Sequence, residues 1–355
     1  MPSSIDSDLQ LEIISKFGSI GKEEMIWEKL QPNEKGDWLN HRNDIFETFI
    51  PLAPIKKFDS KEKTVFITYS NGIVTSRDSW VYNYSRSELE LTIKPMIDFY
   101  NAEYETYKRA IALNPKLEVE NSIDNNPKKI SWSRSLKSDI KRGRTHTFKA
   151  DKIITSVNRP FCKQSLYFDT PFIESPSINS KLFPYTGSEN KIIAVTGIGA
   201  SKAFSSLMLD HITDFQSLMN CICFPLYYYE EKLKQTKTLF DTSASDSEYE
   251  YIKRDGVSDF ILDQARKIYG LKVSKEDIFY YVYGVLYSSD YCQRFENDLK
   301  KMLPRIPLVD EPKDFWSFSK SGRKLAELHL DYEAAPRPEV VTVDGEESNF
   351  FNVRL

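Results

Sequence analysis

TKTLFDTSASDSEYEYIKRDG, residues 236–256, divides the chain into two kinds of pattern. Asp241, Asp246, Glu248, Glu250 and Asp255, with Asp259 beyond them, stand against Lys253 and Arg254 in a run rich in Ser and Thr, which predicts a solvated linker over 236–258. Downstream the periodicity is helical. DFILDQARKIYG closes on Gly270, SKEDIFYYVYGVLYSS opens on Ser274 and Asp277, and DYCQRFENDLKKML stops at Pro304. Upstream, apolar runs of strand length recur: TVFITY, IVTSRDSWVYNY, KIITSV, SLYFD, KIIAVTG and CICFPLYYY, while SKAFSSLMLDHI fits either strand or helix. Asn71-Gly72 between the first two runs is a hairpin signal. Ser85 and Glu88 form a capping box, behind which Leu89, Ile93, Met96, Tyr100, Tyr104, Tyr107 and Ile111 mark a long amphipathic helix kinked at Pro95. The expected fold class is α+β: a mixed, sheet-containing lobe over 51–235, the linker, and a helical lobe over 259–355. A connector over 1–50 precedes them, with a short helix at 25–30, turn chemistry in QPNEKGDW and a second helix at 39–49.

The 355 residues carry 48 Lys+Arg against 52 Asp+Glu, a net charge of −4, which excludes a protein held to nucleic acid by overall charge. Any contact with a polyanion must come from a local patch. An apolar share of 40% with 28% charged residues fits a soluble globular chain of about two domains. The longest apolar stretch, SLMNCICFPLYYY at 217–229, is broken by Asn220 and Pro225 and falls short of the ~20 residues of a spanning helix, so no membrane partner is expected. The start, MPSSIDSDLQLEI, carries acids where a secretory signal carries Lys or Arg, and Cys162, Cys221, Cys223 and Cys292 form no disulfide framework. The expected compartment is the cytoplasm.

Several chemistries lack their motifs. Neither an NPPY-type loop nor an FxGxG turn occurs, so methyl transfer to a flipped base is not expected of this chain. VTGIGASK at 195–202 contains Lys202 but not the GxxxxGK[ST] spacing that wraps backbone N–H groups around phosphates, and reads as a strand-to-turn transition. The CxC of Cys221 and Cys223 lacks a second Cys/His pair at zinc-ligand spacing. His41, His146, His211 and His329 are far apart, and no Ser or Cys sits in a GxSxG context. The expectation is a chain without catalytic residues, metal or cofactor of its own.

The positive signal lies at 128–152, where nine basic residues (128, 129, 134, 137, 141, 142, 144, 149, 152) meet only the acids 139 and 151, a local +7 in a chain of −4. On a helix at about 100° per residue Trp132, Leu136 and Ile140 share one face, with Arg134, Lys137 and Lys141 opposite. Gly143 ends the helix. A solvated face is the plain reading, but a stripe of one sign leading into arginine-rich turns suits phosphates and guanine edges. The DNA-contact candidates are therefore Arg134, Lys137, Lys141, Arg142, Arg144 and Lys149, together with Arg159 and Arg77. Arg144, just past the helix end, is expected to read a base. Arg159 is either a contact or a buried strut paired with an acid such as Asp169, and Arg77 either a contact or the partner of Asp78.

Several strings occur together in order: GDWLNHRNDIFETFIPL (36–52), SNGIVTSRDSWVYNYS (70–85), IDFYNAE (97–103), ISWSRSLKSDIKRGR (130–144), NRPF (158–161) with LYFD (166–169), CFPLYYY (223–229) and VYGVLYSSDYCQRFENDLKKMLPRIPLV (282–309). Together they resemble the C-terminal specificity region of Type ISP restriction-modification enzymes, large bacterial single-chain proteins. The resemblance implies a recognition lobe for double-stranded DNA followed by a helical lobe packing on the methyltransferase. It also implies a parent enzyme with a nuclease, an ATP-driven helicase-like motor using Mg, and an adenine methyltransferase using S-adenosylmethionine. On that reading the chain starts where the methyltransferase ends, and EVVTVDGEESNFFNVRL stops before the family's last stretch. The resemblance transfers no base-contacting residue, so those candidates rest on charge. A protein–protein docking module without DNA binding is the alternative from another class.

Overall fold

The computed structural model describes residues 30–58, 61–185, 187–233 and 249–334. It divides into two compact units, Met1–Arg42 and Asn43–Leu355. In the first, Asn33 Oδ1 accepts from the backbone of Lys35 and Asp37 at 3.0 and 2.8 Å, and Gly36 takes a positive φ of 76°, so QPNEKGDW forms the expected turn. The helix expected at 25–30 falls mostly outside the described residues.

The second unit is α+β. One four-stranded antiparallel sheet runs in the order Ser70–Asn71, Ile222–Pro225, Ile192–Val195, Ser206–Leu209. SKAFSSLMLDHI thus supplies a strand. A second sheet runs Tyr82–Asn83, Cys162–Tyr167, Ile153–Arg159, Ile212–Thr213, its last pair parallel. Tyr227–Leu233 and Tyr249–Asp255 make a two-stranded antiparallel ribbon, and Ile50–Pro51 pairs with Arg305–Ile306. Among the described residues five helices have eight or more residues: α1 (Arg86–Leu113), α2 (Arg134–Lys141), α3 (Asp259–Tyr269), α4 (Lys275–Leu286) and α5 (Pro312–Leu330).

The first sheet obeys the strand period of two on both faces. Ile193, Val195, Met208 and Phe224 point into one core with Phe66, Ile261, Phe279, Tyr281, Tyr283 and Phe315, so the sheet and the C-terminal helices share it. Tyr283 Oη accepts from Met208 N at 2.9 Å across that contact. Ile192, Ala194, Leu207, Leu209 and Cys223 point the other way, into a smaller cluster. A separate core joins the second sheet to α1 and α2 through Leu89, Ile93, Met96, Tyr100, Leu136, Ile140, Leu166, Tyr167 and Phe172.

Four expectations need correction. Asn71-Gly72 is not a hairpin turn: Ser70–Asn71 pairs with Ile222 and Cys223, whereas Ile73 bridges Asp214 and Val74 bridges Ser175. Gly72 serves close approach, because a Cβ there would lie 2.6 Å from the backbone of Asp214. The segment expected as a linker over 236–258 contributes the strand Tyr249–Asp255, with residues 236–248 outside the described residues. The helix expected at 39–49 shrinks to Asp44–Thr48, capped by Asn43. DYCQRFENDLKKML forms two short helices, Ser289–Arg294 and Glu296–Lys301, rather than one. Helix α1 keeps Pro95 inside it, and of the Ser85/Glu88 box only the bond from Glu88 N to Ser85 Oγ, 3.3 Å, is formed. Among the described residues no helix is long and apolar enough to cross a membrane.

Two histidines make the unit acid-sensitive. His146 lies between the rings of Tyr100 and Phe172, and His329 meets the hydroxyl of Tyr283 at 2.5 Å; burial pushes both below the ordinary value of 6.5. The unfolded chain takes up these protons near pH 6.5 while the folded chain resists them, so stability is full above that value and falls as pH drops through it. The loss in melting temperature between about pH 7.5 and about 5.5 should shrink in a His146→Gln/His329→Gln variant. An unchanged loss would assign the acid response to carboxylates alone.

Candidate nucleic-acid interface

Helix α2 and the loop after it carry most of the candidate cations. Ser133 caps the helix, its Oγ accepting from Leu136 N at 3.5 Å, and Leu136 and Ile140 anchor it in the core beneath. Trp132 lies just before the helix rather than on it, its Nε1 donating to Asp124 O at 2.9 Å. Gly143, at φ 73°, closes α2: Gly143 N donates to Ile140 O and Arg144 N to Asp139 O, both at 3.0 Å, in the pattern of a Schellman cap. The cap leaves Arg144 at the exit. Its carbonyl accepts from Tyr100 Oη at 2.9 Å, and Asn101 exchanges two bonds with the backbone of His146, so α1 holds the whole loop.

The stripe of one sign in sequence is not of one sign in space. Lys137 Nζ lies 3.7 Å from Glu120 and Lys141 Nζ 2.7 Å from Glu118, acids contributed by the turn at Val119–Asn121 and the residue before it. The bond to Glu118 raises Lys141 above the ordinary lysine value. Lys149 Nζ stands 3.8 Å from Asp169, and Arg144 Nη1 bonds Asp139 at 3.2 Å. Arg134 and Arg142 are exposed and have no ion pair among the described residues.

Two candidates lie apart from that helix. Arg159 ends its strand half-exposed, its Nη1 shared among Asn158 O, Asn158 Oδ1 and the buried Asp214, 3.0 Å away; the partner is Asp214, not Asp169. Burial raises the Asp214 carboxyl above its ordinary value. Arg77 is 2% exposed, and the expectation of a DNA contact there is corrected. Its Nε donates to Ser131 O at 3.2 Å, its Nη2 to Ser133 Oγ at 2.5 Å and its Nη1 to Phe172 O. Burial pushes it down to about 10 against the opposing pull of Glu174. Asp78, the partner weighed for it, instead accepts from Thr75 Oγ1. Arg77 therefore fixes the start of α2, and Glu174, which accepts from Ser135 Oγ at 2.5 Å, fixes the same turn.

The residues that organise the site without being legible beforehand are Tyr100, Asn101, Glu118, Glu120, Asp139, Glu174 and Asp214. Except for Asp139, five residues before Arg144, they lie far along the chain from the groups they hold. A Tyr and an Asn one residue apart on an amphipathic helix were the nearest available signal.

The family model for the Type ISP C-terminal specificity domain matches residues 64–352. The chain belongs to this family. Among solved structures, this Type ISP specificity domain is similar to a nuclease-deletion mutant of the Type ISP restriction-modification enzyme LlaGI in complex with a DNA substrate mimic. The identity is 32% and the TM-score 0.72, over 93% of this chain and 27% of that one. It is similar to the ATP-dependent Type ISP restriction-modification enzyme LlaBIII bound to DNA at 30% identity and TM-score 0.72, over 88% of this chain and 18% of that one. The DrdV–DNA complex follows at 25% identity and TM-score 0.74, over 92% of this chain and 30% of that one. The specificity domain thus spans less than a third of the length of each of these proteins. No curated protein matches the chain.

Proposed function

We propose that this domain recognises a sequence in double-stranded DNA and presents the site to an adenine methyltransferase and a helicase-nuclease in the same parent polypeptide. The observation that carries the reading is the joint occurrence of family membership and relatives seen on DNA with exposed arginines at the start of α2, Arg134, and at its exit, Arg142 and Arg144. The domain contributes no catalysis and holds no cofactor; S-adenosylmethionine, ATP and Mg act in the other parts of the parent, in the cytoplasm. Flipping the adenine leaves this region to hold the flanking duplex from the major-groove side.

Within the site, the two arginines without an ion pair are the phosphate contacts. Lys137 and Lys141 contribute less, because each must leave a carboxylate to reach a phosphate. Replacing Arg134 and Arg142 with Gln should weaken binding to all duplexes alike and flatten log affinity against log salt by roughly 0.9 per lost contact. Lys137→Gln and Lys141→Gln should flatten it less. An unchanged slope in the arginine variants would take α2 off the backbone. Fluorescence anisotropy with random and mixed duplexes tests the proposal as a whole: salt-sensitive binding supports it, and absence of any binding supports the docking module instead.

A further inference from the structure

We propose that Asp139 is a positioning residue for base recognition, holding Arg144 in one outward pose; this rests on the DNA-reading function proposed above. Its carboxylate sits on the inner side of α2 with the side chain 11% exposed, whereas the Arg144 side chain is 58% exposed. Oδ1 accepts from Arg144 Nη1 at 3.2 Å. The backbone of Arg144 is fixed at both ends, by Asp139 O on its N–H and by Tyr100 Oη on its carbonyl. The same aspartate therefore closes the helix and steers the side chain that leaves it.

No other candidate cation is held this way. Arg134 and Arg142 have no ion pair among the described residues, and Lys137 and Lys141 pair with exposed acids. Lys149 and Arg159 also meet buried carboxylates, but Lys149 Nζ stands 3.8 Å from Asp169, beyond hydrogen-bond distance, and Nη1 of Arg159 is divided among three acceptors. With Nη1 on Asp139, the Nε–Nη2 edge of Arg144 keeps two parallel N–H donors, the pattern that matches O6 and N7 of guanine. His146 Nε2 lies 3.3 Å from the other carboxylate oxygen, and burial keeps that ring below the ordinary histidine value. At neutral pH it brings no charge to compete with Arg144. An arginine already held loses less rotamer freedom on binding and tolerates less error in the base opposite.

The test uses the complete parent enzyme, with binding measured on its cognate duplex, on duplexes with one pair changed, and on random duplex. Arg144→Ala should relax discrimination at one base pair. Asp139→Asn should relax the same pair by about tenfold, at the low end of a direct base contact, and leave affinity for random duplex unchanged. The double variant should lose no more discrimination than Arg144→Ala alone. Arg144→Lys, which keeps the cation beside Asp139 but not the paired donors, should behave as Arg144→Ala in discrimination while melting like the unsubstituted protein. The assignment is overturned if Asp139→Asn relaxes no position, relaxes a different one, or weakens all duplexes in step with a lowered melting temperature. If the unsubstituted enzyme binds duplex only through its other parts, the underlying reading fails first and the positioning role with it.

Discussion

Gly322→Ala should destabilise the domain by about 3 kcal/mol, even though alanine is the better helix former by about 1 kcal/mol. A Cβ at Gly322 would lie 2.1 Å from the carbonyl oxygen of Tyr280 and 2.9 Å from the nitrogen of Gly284. The contact is reciprocal, since a Cβ at Gly284 would lie 2.5 Å from Phe318 O. All three obstacles are backbone, so no side chain can rotate away and α4 and α5 must part. Parting them loosens Phe315 from Tyr269 and Tyr281, now 4.3 and 4.9 Å away between ring centroids, and stretches the 2.9 Å bond from Ser319 Oγ to Asp277 O. The damage reaches the first sheet, because Tyr283 of α4 bonds Met208. Thermal unfolding of Gly322→Ala beside Ser321→Ala, an exposed neighbour expected within about 0.5 kcal/mol of the parent, measures it. Equal stability of the two variants would mean that the helices do not meet as closely as described.

Arg144→Ala in the parent enzyme should weaken recognition at one base position by about 1 to 3 kcal/mol, roughly a fivefold to 150-fold loss of discrimination. The residue leaves α2 at its cap with a fixed backbone, and its guanidinium stands clear of the surface on Asp139. A planar fork of donors can span both acceptors of a guanine edge, whereas an ammonium acts as a point charge, so the loss should appear as altered selectivity rather than slower modification everywhere. Sequencing the methylated sites separates the two outcomes. If the variant modifies the same motif with the same stringency, Arg144 belongs with the phosphate contacts.

What could be read from sequence followed the range of the interactions. Helices α3 and α4 announce themselves through Gly270 and through Ser274 with Asp277, signals that act within one turn, and α2 through the spacing of Leu136 and Ile140 and its stop at Gly143. The strands of the first sheet read as apolar runs because both of their faces are covered. The false hairpin at Asn71-Gly72 and the strand hidden in the acidic segment share one cause: pairing partners are set by tertiary contact, and Tyr249–Asp255 pairs with a strand that sequence assigned to another lobe. Helix α5 was legible only as part of a helical region, since beyond Phe315 its buried face is built from small residues, Ser319, Gly322 and Ala326, which carry little hydrophobic signal.

The candidate site divided along the same line. The basic segment and the exit of Arg144 from the helix lay in consecutive residues. That Glu118 and Glu120 face the lysines, or that Arg77 is buried under α2, depends on where α1 and the loop after it return, which no local pattern encodes.

In the proposed function this domain, and not its neighbours, carries the choice of DNA sequence. Exchanging residues 64–352, the span of the family match, for the corresponding region of another Type ISP enzyme and mapping the methylated sites of the chimera tests it most directly. The methylated motif should change to the one specified by the donor of the domain while methyl transfer continues. A chimera that modifies the recipient's original motif would contradict it.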